Sequence, residues 1–386
     1  MNDLLSICEN LRRWFQKNDY KGIDPYQLDE KVFSYSKGLP FLKYMRKALK
    51  PLHSLIPRAI FARLGPIYLP KALGLIIGGN CSLYRMRAKR EYIDENYQLL
   101  GILKRIKNQG FKHTCWGWPF EWGQDPRYPK DLPLPCVTSP VGHVLLDFYN
   151  VTKDDKVLGV AEDVARFLIE ENGFKEFEDS LCLFYSCMDS NLVYSGNLIS
   201  SAFLLRLNQI NSSEAQLDFA KRALRFVLHG QNSDGSWNYS HQKRRIGVID
   251  NRHSGFVLES LSQINRILKN ERVELALEKG WKYYRENFFE GSLPKSSPSQ
   301  VFPVDIHDVA QAIITCTEMQ DWSRAEGVTD FAINKMSNER DEFHYKYFEN
   351  GKTNQTVFFR WGQSWMFKAL SLFLEKKADK AYRDDV

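Results

Sequence analysis

The sequence predicts an all-α protein of the (α/α)6 toroid class, a barrel of helix hairpins, on the strength of a repeat and of two alternating kinds of helix. Five segments share one layout, in which a polar or aromatic cluster leads directly into an apolar helix. Their equivalent points recur about every 55 residues, at Ser139, Asn197, His253, His307 and Gly362. Between them lie helices whose apolar residues follow helical spacing and whose outer faces are charged. Such regularity indicates repeated helix hairpins.

The two kinds of helix predict two concentric rings. Helices that are apolar on most faces and rich in small residues must be buried, so the five leading helices form the inner ring. The point one repeat before Ser139 lies near position 84, and we predict a sixth inner helix there. The outer helices begin at Val157, Ala215, Val273 and Ser323, and EYIDENYQLLGILKRIKNQ precedes them as a further outer helix.

The connections between helices differ in length in a regular way. Those from inner to outer helices are short, as in NVTKDD and NQINSSE, whereas the return connections are long and hold most of the Gly, Pro and aromatic residues. In a toroid the long loops all emerge at one end, around the mouth of the central cavity. Long loops of this composition in a compact domain are usually functional, so we expect the active site at this end.

Length and composition fit one large domain. The 386 residues contain no Gly/Ser/Pro-rich linker. We divide the chain into an N-terminal basic helical segment, 1–90, that supplies the first hairpins, the remainder of the toroid, 91–377, and a polar tail, 378–386. The seven cysteines are odd in number, widely scattered and without metal-ligand spacing, which predicts reduced thiols in a cytosolic protein.

Residues 31–90 form a strongly basic stretch. They contain thirteen Lys and Arg residues and no acidic residue, although the whole chain carries a formal net charge of only +6. The interleaved apolar residues favour a membrane surface or a lipid-linked substrate over nucleic acid, and no nucleic-acid partner is expected. The alternative is a pair of short buried helices with solvated basic faces. The expected localisation is cytoplasmic, with a peripheral placement at the inner face of the membrane as its variant.

Residues at the starts of the inner helices are the candidate site. Aromatic faces beside Asp, Asn, His and Arg suit sugars, because pyranose C–H faces stack on rings while the hydroxyls need convergent hydrogen-bonding partners. The candidate catalytic residues are Tyr194, Asn197, Asp250, His253, Asp305 and His307. The candidate substrate-binding residues are Trp116, Trp118, Glu121, Tyr185, Asp189, Trp237, Tyr239, Arg252, Arg360, Trp361 and Gln363. The expected partner is a polysaccharide or a lipid-linked oligosaccharide, and no metal or cofactor is required.

Several candidates have simpler interpretations. Asp250 and Asp305 precede inner helices and have the residue type of an N-cap, and His253 and His307 are then their hydrogen-bonded partners. Trp237 and Trp365 are more typical of packing residues than of sugar platforms. The sequence contains no HExxH, P-loop or GxSxG motif, which excludes zinc proteolysis, P-loop nucleotide hydrolysis and α/β-hydrolase chemistry.

Several motifs resemble known toroid families. AKRALRFVLHGQNSDGSWNYS is similar to the QW-type repeat of terpene cyclases, in which Gln and Trp tie adjacent hairpins together, and FRWGQSWMFKALSLFLE is similar to an inner helix of six-hairpin glycosidases. Together with WGWPFEWG, DNRHSGFVLESL and PVDIHDVAQAI, they resemble a bacterial family of toroid proteins from surface-polysaccharide gene clusters, over about positions 40–377. The resemblance implies a role in capsule or O-antigen synthesis. The chain lacks the DxDD and DCTAE motifs of terpene cyclisation.

The reaction stays open among four hypotheses. An enzyme that removes a proton at C5 of a uronate, leading to epimerisation or β-elimination, could use Tyr194, Asn197, His253 and either Arg252 or Arg360. A glycoside hydrolase would use Asp250, Asp305 or Glu121 as paired carboxylates. A non-catalytic glycan-binding or scaffold protein and a prenyltransferase or terpene-cyclase-like toroid are the other two.

Overall fold

The computed structural model describes residues 2–27, 64–123, 127–242 and 247–384. Over these ranges the chain forms twelve α-helices and a few very short strands. The inner helices are α2 (Pro70–Arg87), α4 (Pro135–Thr152), α6 (Tyr194–Asn211), α8 (Asn251–Leu268), α10 (Ile306–Glu318) and α12 (Trp365–Asp384). The outer helices are α1 (Asn2–Lys17), α3 (Arg90–Arg105), α5 (Asp155–Arg166), α7 (Glu214–His229), α9 (Glu271–Asn287) and α11 (Trp322–Met336).

The inner helices form a closed ring. Each packs against the next, and α12 returns to pack against α2. Small residues permit this close approach: a Cβ atom added to Gly142 of α4 would lie 2.7 Å from the ring of Phe203 on α6. Every outer helix of the hairpins packs on its own inner helix. The predicted (α/α)6 toroid is confirmed.

The ring closes through the N-terminal helix. Helix α1 takes the sixth outer position, where Nε of Arg12 donates to Glu95 of α3 over 2.8 Å and Trp14 donates to Glu342, beyond α11, over 2.9 Å. The sixth inner helix begins at Pro70, earlier than the position near 84 expected from the repeat. Its ALGLIIGG run is buried, as apolarity on every face requires. No helix in the described ranges is long and apolar enough to cross a bilayer.

One turn design repeats at the short connections. Each of the first four hairpins places a residue with positive φ at the end of its inner helix. In three of them the next residue is an Asp, Ser or Asn whose side chain caps the outer helix: Lys153 and Asp154, Ser212 and Ser213, Lys269 and Asn270. Such residues accept hydrogen bonds from free N–H groups of the first turn, which fixes the start of each outer helix.

The long loops at the other end hold all the strands. They form two hairpins, β1 (Phe174–Glu176) with β2 (Leu181–Leu183) and β3 (Phe289–Glu290) with β4 (Leu293–Pro294), and one three-stranded sheet, β5 (Val304–Asp305), β6 (Lys346–Tyr347) and β7 (Thr353–Asn354). The pairing is antiparallel throughout. Because β5 runs directly into α10, the sheet fixes the start of that inner helix.

Candidate functional site

Aromatic side chains line the mouth where the inner helices begin. Trp122 stacks on Tyr128 with ring centroids 5.0 Å apart and on Tyr26 at 6.0 Å, and it contacts Tyr185 at 5.8 Å. Nε1 of Trp122 is buried without a hydrogen-bond partner among the described residues. Ring faces beside an unused N–H donor are what a sugar ring with its hydroxyls requires. We call this group, with Trp118 and Trp361, the aromatic mouth.

A buried ion pair fixes one side of the aromatic mouth. Arg360, in the π-helical turn Phe359–Ser364 before α12, donates to Asp24 through Nε at 2.7 Å and Nη2 at 2.9 Å. Both side chains are almost fully buried. The guanidinium also lies over the rings of Trp118, at 4.4 Å, and Trp361, at 5.0 Å. Arg360 therefore holds the aromatic rings in place, and its two hydrogen bonds to Asp24 have a structural role.

The start of α8 carries a His–Asp pair. Asp250 caps the helix by accepting from the backbone N–H of His253, and Nδ1 of His253 lies 2.8 Å from both Asp250 oxygens. Burial would raise the pKa of Asp250, but the charge and hydrogen bonds of His253 lower it below its usual range. An ionised Asp250 therefore orients the imidazole and stabilises the charge that the ring gains with a proton, while Nε2 is left to act. The cap and the catalytic interpretations are compatible.

The start of α10 carries a second imidazole in a different state. Asp305 caps this helix and accepts from Nε1 of Trp361 over 2.8 Å. His307 packs between Trp361, at 4.6 Å, and Trp365, at 4.7 Å, and neither of its ring nitrogens has a hydrogen-bond partner in the described structure. Burial, then the charge of Arg252, lowers the pKa of His307 well below its usual value. The ring is therefore neutral at pH 7, and both of its nitrogens lack a protein partner among the described residues.

A guanidinium lies between these two helix starts. Arg252 follows Asp250 on α8, and its Nε lies 3.3 Å from Asp308 while its Nη1 lies 4.0 Å from Asp305. It also sits over the Trp361 ring at 4.9 Å. Nη1 is buried and lacks a hydrogen bond within the described ranges. Buried donors without partners are rare in folded proteins, so this atom and the His307 nitrogens indicate a place for a polar ligand.

The state of His307 has a measurable consequence. Its folded-state pKa is lowered, so on acidification the unfolded chain binds a proton that the folded chain does not, and the folded state loses stability as pH falls below about 6.5. The free energy of unfolding is measured with a chemical denaturant between pH 7 and pH 5. In His307→Gln, we expect this free energy to fall less steeply with decreasing pH than in the wild type, by up to about 1.4 kcal/mol per pH unit. A variant with the same pH slope as the wild type would show that His307 is not held neutral.

Three further predicted residues also lie near the aromatic mouth. Tyr239 meets His253 edge to face at 4.6 Å. Glu121 pairs with Arg127 over 3.0 Å, and Asp189 accepts from Ser186 and from the backbone of Asn191 in its own loop. These two carboxylates therefore shape the loops around the aromatic mouth.

Other predicted site residues have structural contacts instead. Asn197 accepts from the backbone of Leu183 and donates to the carbonyl of Ala223, so its amide is used between α6, β2 and α7. Gln363 binds both backbone groups of Phe343. Both amides are buried and bind backbone groups through the oxygen and one N–H, which indicates a structural role.

The remaining three are tryptophans and a tyrosine in the packing. Trp116 is fully buried and donates to Leu103, Trp237 donates to Val227, and the hydroxyl of Tyr194, at the start of α6, lies 3.1 Å from Nδ1 of His241 in the loop after α7. The side chains of Trp237 and Gln231 do bridge hairpins: Gln231 donates to Ala276 of α9, and Trp237 packs on Gly280. The simpler packing interpretation of Trp237 is the one that fits.

The sequence reasoning missed two charged groups. Asp308, directly after His307, is fully buried, accepts from Ser296 and faces Arg252, and burial raises its pKa. Lys71, at the start of α2, is also buried, with Nζ 3.1 Å from the carbonyl oxygen of Cys136, and burial lowers its pKa to about 8. The repeat itself contained the signal, since each lies at the start of an inner helix.

The described residues contain no group of His, Cys, Asp and Glu able to hold a metal ion. All seven cysteines are free thiols, as expected. Most of the basic stretch predicted to meet a membrane, from 31 to 63, lies outside the described residues. Of its described members, Lys71 is buried inside the barrel and Arg85 pairs with Glu375 over 3.2 Å, whereas Arg87, Lys89 and Arg90 are exposed.

No protein-family model matches the chain, and no curated protein does. Solved structures do resemble it. The cellobiose 2-epimerase of Spirochaeta thermophila superposes with a TM-score of 0.63 and 10% identity, over 82% of this chain and 89% of that one. The GH76 α-mannanase of Bacteroides thetaiotaomicron gives 0.61 and 10% over 82% and 88%, and a polysaccharide lyase gives 0.58 and 12% over 81% and 91%. At such identity the likeness shows the shared toroid fold.

Proposed function

We propose that this protein is a sugar-modifying enzyme that epimerises a glycan unit by removing and returning a proton next to a carboxylate or carbonyl group. The observation that carries the proposal is the pair of imidazoles in different states at neighbouring helix starts. His307 is buried, neutral and without a hydrogen-bond partner in the described structure, and His253 is held by Asp250. The similar structures are those of an epimerase, a mannanase and a lyase, which supports a carbohydrate substrate.

The proposed steps follow from these states. A ring nitrogen of His307 takes the proton from the carbon, and the electron pair of the C–H bond moves onto the adjacent carbonyl or carboxylate, where Nη1 of Arg252 stabilises the oxygen charge. His253, whose ring Asp250 holds through Nδ1, then returns a proton from Nε2 on the other side. The reverse reaction exchanges the roles of the two rings. The step needs no oxidant, since no net electron transfer occurs.

A uronate is the proposed substrate class. The guanidinium of Arg252 suits a carboxylate, and Nζ of Lys346 lies near the same position, 3.6 Å from Asp305. The rings of the aromatic mouth supply faces for the sugar carbons. A lipid-linked acceptor, the surface-polysaccharide pathway and a location at the inner membrane face stay proposals that rest on the sequence resemblance and on the basic stretch.

Glycoside hydrolysis is the second candidate, because the raised pKa of Asp308 suits a general acid. The geometry favours it less. Asp308 is fully buried and accepts from Ser296, Asp305 is engaged by Trp361, and Asp250 is engaged by His253. A hydrolase needs two carboxyl groups in reach of the substrate, and these three are each committed to protein partners.

The test is solvent isotope exchange. The purified full-length chain is incubated in D2O with oligosaccharides of glucuronate and mannuronate, and with cellobiose as a neutral reducing sugar, and products are followed by NMR. We expect deuterium at one sugar carbon and the appearance of the epimer. An unsaturated product absorbing in the ultraviolet would indicate elimination, and new reducing ends would indicate hydrolysis. A protein that produces none of these changes in any arm would overturn the proposal.

A further inference from the structure

A second cavity, of about 590 Å³, occupies the barrel axis beyond the floor of the aromatic mouth. The floor consists of Phe256 and Trp365, which stack on each other at 5.6 Å. His307 packs on Trp365 and does not line this cavity, whose rim lies instead where the inner helices end, near the exposed residues Gln209 and Arg266. We call it the axial cavity. Its volume is within the range of small-molecule sites.

Ion pairs occupy most of the acidic groups of the axial cavity. Arg206 donates to Asp147 over 2.6 Å, with Arg85 3.8 Å from the same carboxylate. Arg266 pairs with Glu318 over 2.9 Å, and Arg85 pairs with Glu375. These pairs lie toward the rim, and they account for three of the four carboxylates that line the cavity.

Two ammonium groups of the axial cavity have no ion-pair partner among the described residues. Lys368 of α12 makes no hydrogen bond or ion pair with the described residues, and its charge, after that of Arg206, lowers the pKa of Asp147. Lys71 reaches the cavity from α2, its Nζ 5.1 Å from the Phe256 ring centroid and 5.3 Å from that of Trp365. Charge left without a partner in a partly enclosed space is costly, which favours an anion there.

Two polar groups of α8 complete the lining. Glu259 is contacted by Nε2 of Gln311 at 3.5 Å, and burial, then the charge of Glu318, raises its pKa to about 7. This carboxyl is therefore partly neutral at pH 7 and opposes the ammonium groups only weakly. Oε1 of Gln263 is buried without a hydrogen-bond partner among the described residues. It offers an acceptor for a hydroxyl group.

We propose that the axial cavity is a second binding site, separate from the aromatic mouth, for a small hydroxylated molecule that carries one carboxylate or phosphate group. Lys368 and Lys71 bind the anionic group, and Oε1 of Gln263 accepts from a hydroxyl. The faces of Phe256 and Trp365 contact the carbon skeleton. The site is independent of the reaction proposed at the mouth.

The test is isothermal titration of the full-length chain at pH 7 with glucuronate, with glucose 6-phosphate and with glucose. We expect at least one anionic probe to bind at least about tenfold more tightly than glucose, and the stronger of the two identifies the anionic group. Lys368→Met should weaken that binding by at least about tenfold, a loss typical of a charge-assisted hydrogen bond. The matched control Lys282→Met removes an exposed lysine of α9 and should leave binding unchanged.

Two further variants distinguish a specific loss of binding from a loss caused by misfolding. Glu259→Gln removes the negative charge that faces the ammonium groups, so it should tighten binding of the anionic probe several-fold when both proteins are titrated at pH 8. Arg252→Met removes the cation of the mouth and with it the uronate binding proposed there, so the binding of an anionic probe that remains in this variant belongs to the axial cavity. Failure of both anionic probes to bind, an unchanged affinity in Lys368→Met, or complete loss of binding of both anionic probes in Arg252→Met would each overturn the proposal.

Discussion

Replacement of His307 by Gln is expected to lower the rate at which solvent deuterium enters the substrate by about 10²–10⁴-fold, the usual contribution of a general base. The neutral ring with two unpartnered nitrogens is the group best suited to take the proton. Gln has similar bulk and fills the space between Trp361 and Trp365. The variant therefore removes the base while it keeps the packing of the side chain. The measurement is NMR of the substrate incubated in D2O.

His253→Gln distinguishes the two imidazoles. When the ring that returns the proton is lost, His307 still removes a proton, so deuterium enters the substrate pool while formation of the epimer falls by a similar factor. Equal loss of both signals in both variants would contradict the assignment of separate roles. The control is His229→Gln, since His229 lies half-exposed at the end of α7, 3.8 Å from Asp179, and should leave both rates unchanged.

Arg360→Met is expected to lower the free energy of unfolding by about 3–5 kcal/mol, because it leaves Asp24 buried with an unpaired charge. Denaturant unfolding measures this loss. The double variant Asp24→Asn with Arg360→Met removes both charges and should recover a large part of it. Destabilisation by the double variant equal to that of the single one would show that packing of the guanidinium against Trp118, and not the charge pair, dominates.

A surface ion pair supplies the matched comparison. Arg222 of α7 donates to Glu176 over 2.9 Å, but the carboxylate is largely exposed. Arg222→Met should therefore cost at most about 1 kcal/mol. The contrast between the two arginines tests whether the aromatic mouth depends on its buried charge for stability.

Sequence periodicity was enough to predict the rings of helices. A helix that is apolar on all faces, such as α6, has no polar face to present to water and must be inside, and this holds whatever its neighbours are. The 55-residue spacing then implied one hairpin per repeat, and the unequal loops identified the end where Asp250, His253, Asp305 and His307 collect. These properties are local, so a single sequence contains them.

The role of a single side chain, in contrast, depends on partners that are distant in the sequence, so the local pattern does not predict it. Asn197 and His253 occupy equivalent points of the repeat, yet the amide of Asn197 meets backbone groups of β2 and α7, whereas the imidazole of His253 meets Asp250. Arg360 was expected to bind substrate, but its partner Asp24 is 336 positions away in the chain. Side-chain direction around a helix start depends on what the return loop brings there.

By itself, then, the sequence determined that the chain is a toroid of six hairpins and that its long return loops, rich in aromatic residues, lie at one end, because burial and loop length follow from the pattern of residue types. Only the tertiary structure decided which of those residues keep unsatisfied polar atoms. A hydrogen bond forms or fails within about 1 Å, and distances of that size are set by packing between segments remote in the chain. That is why the neutral His307, the available Nη1 of Arg252 and the axial cavity beyond the mouth emerged from the fold.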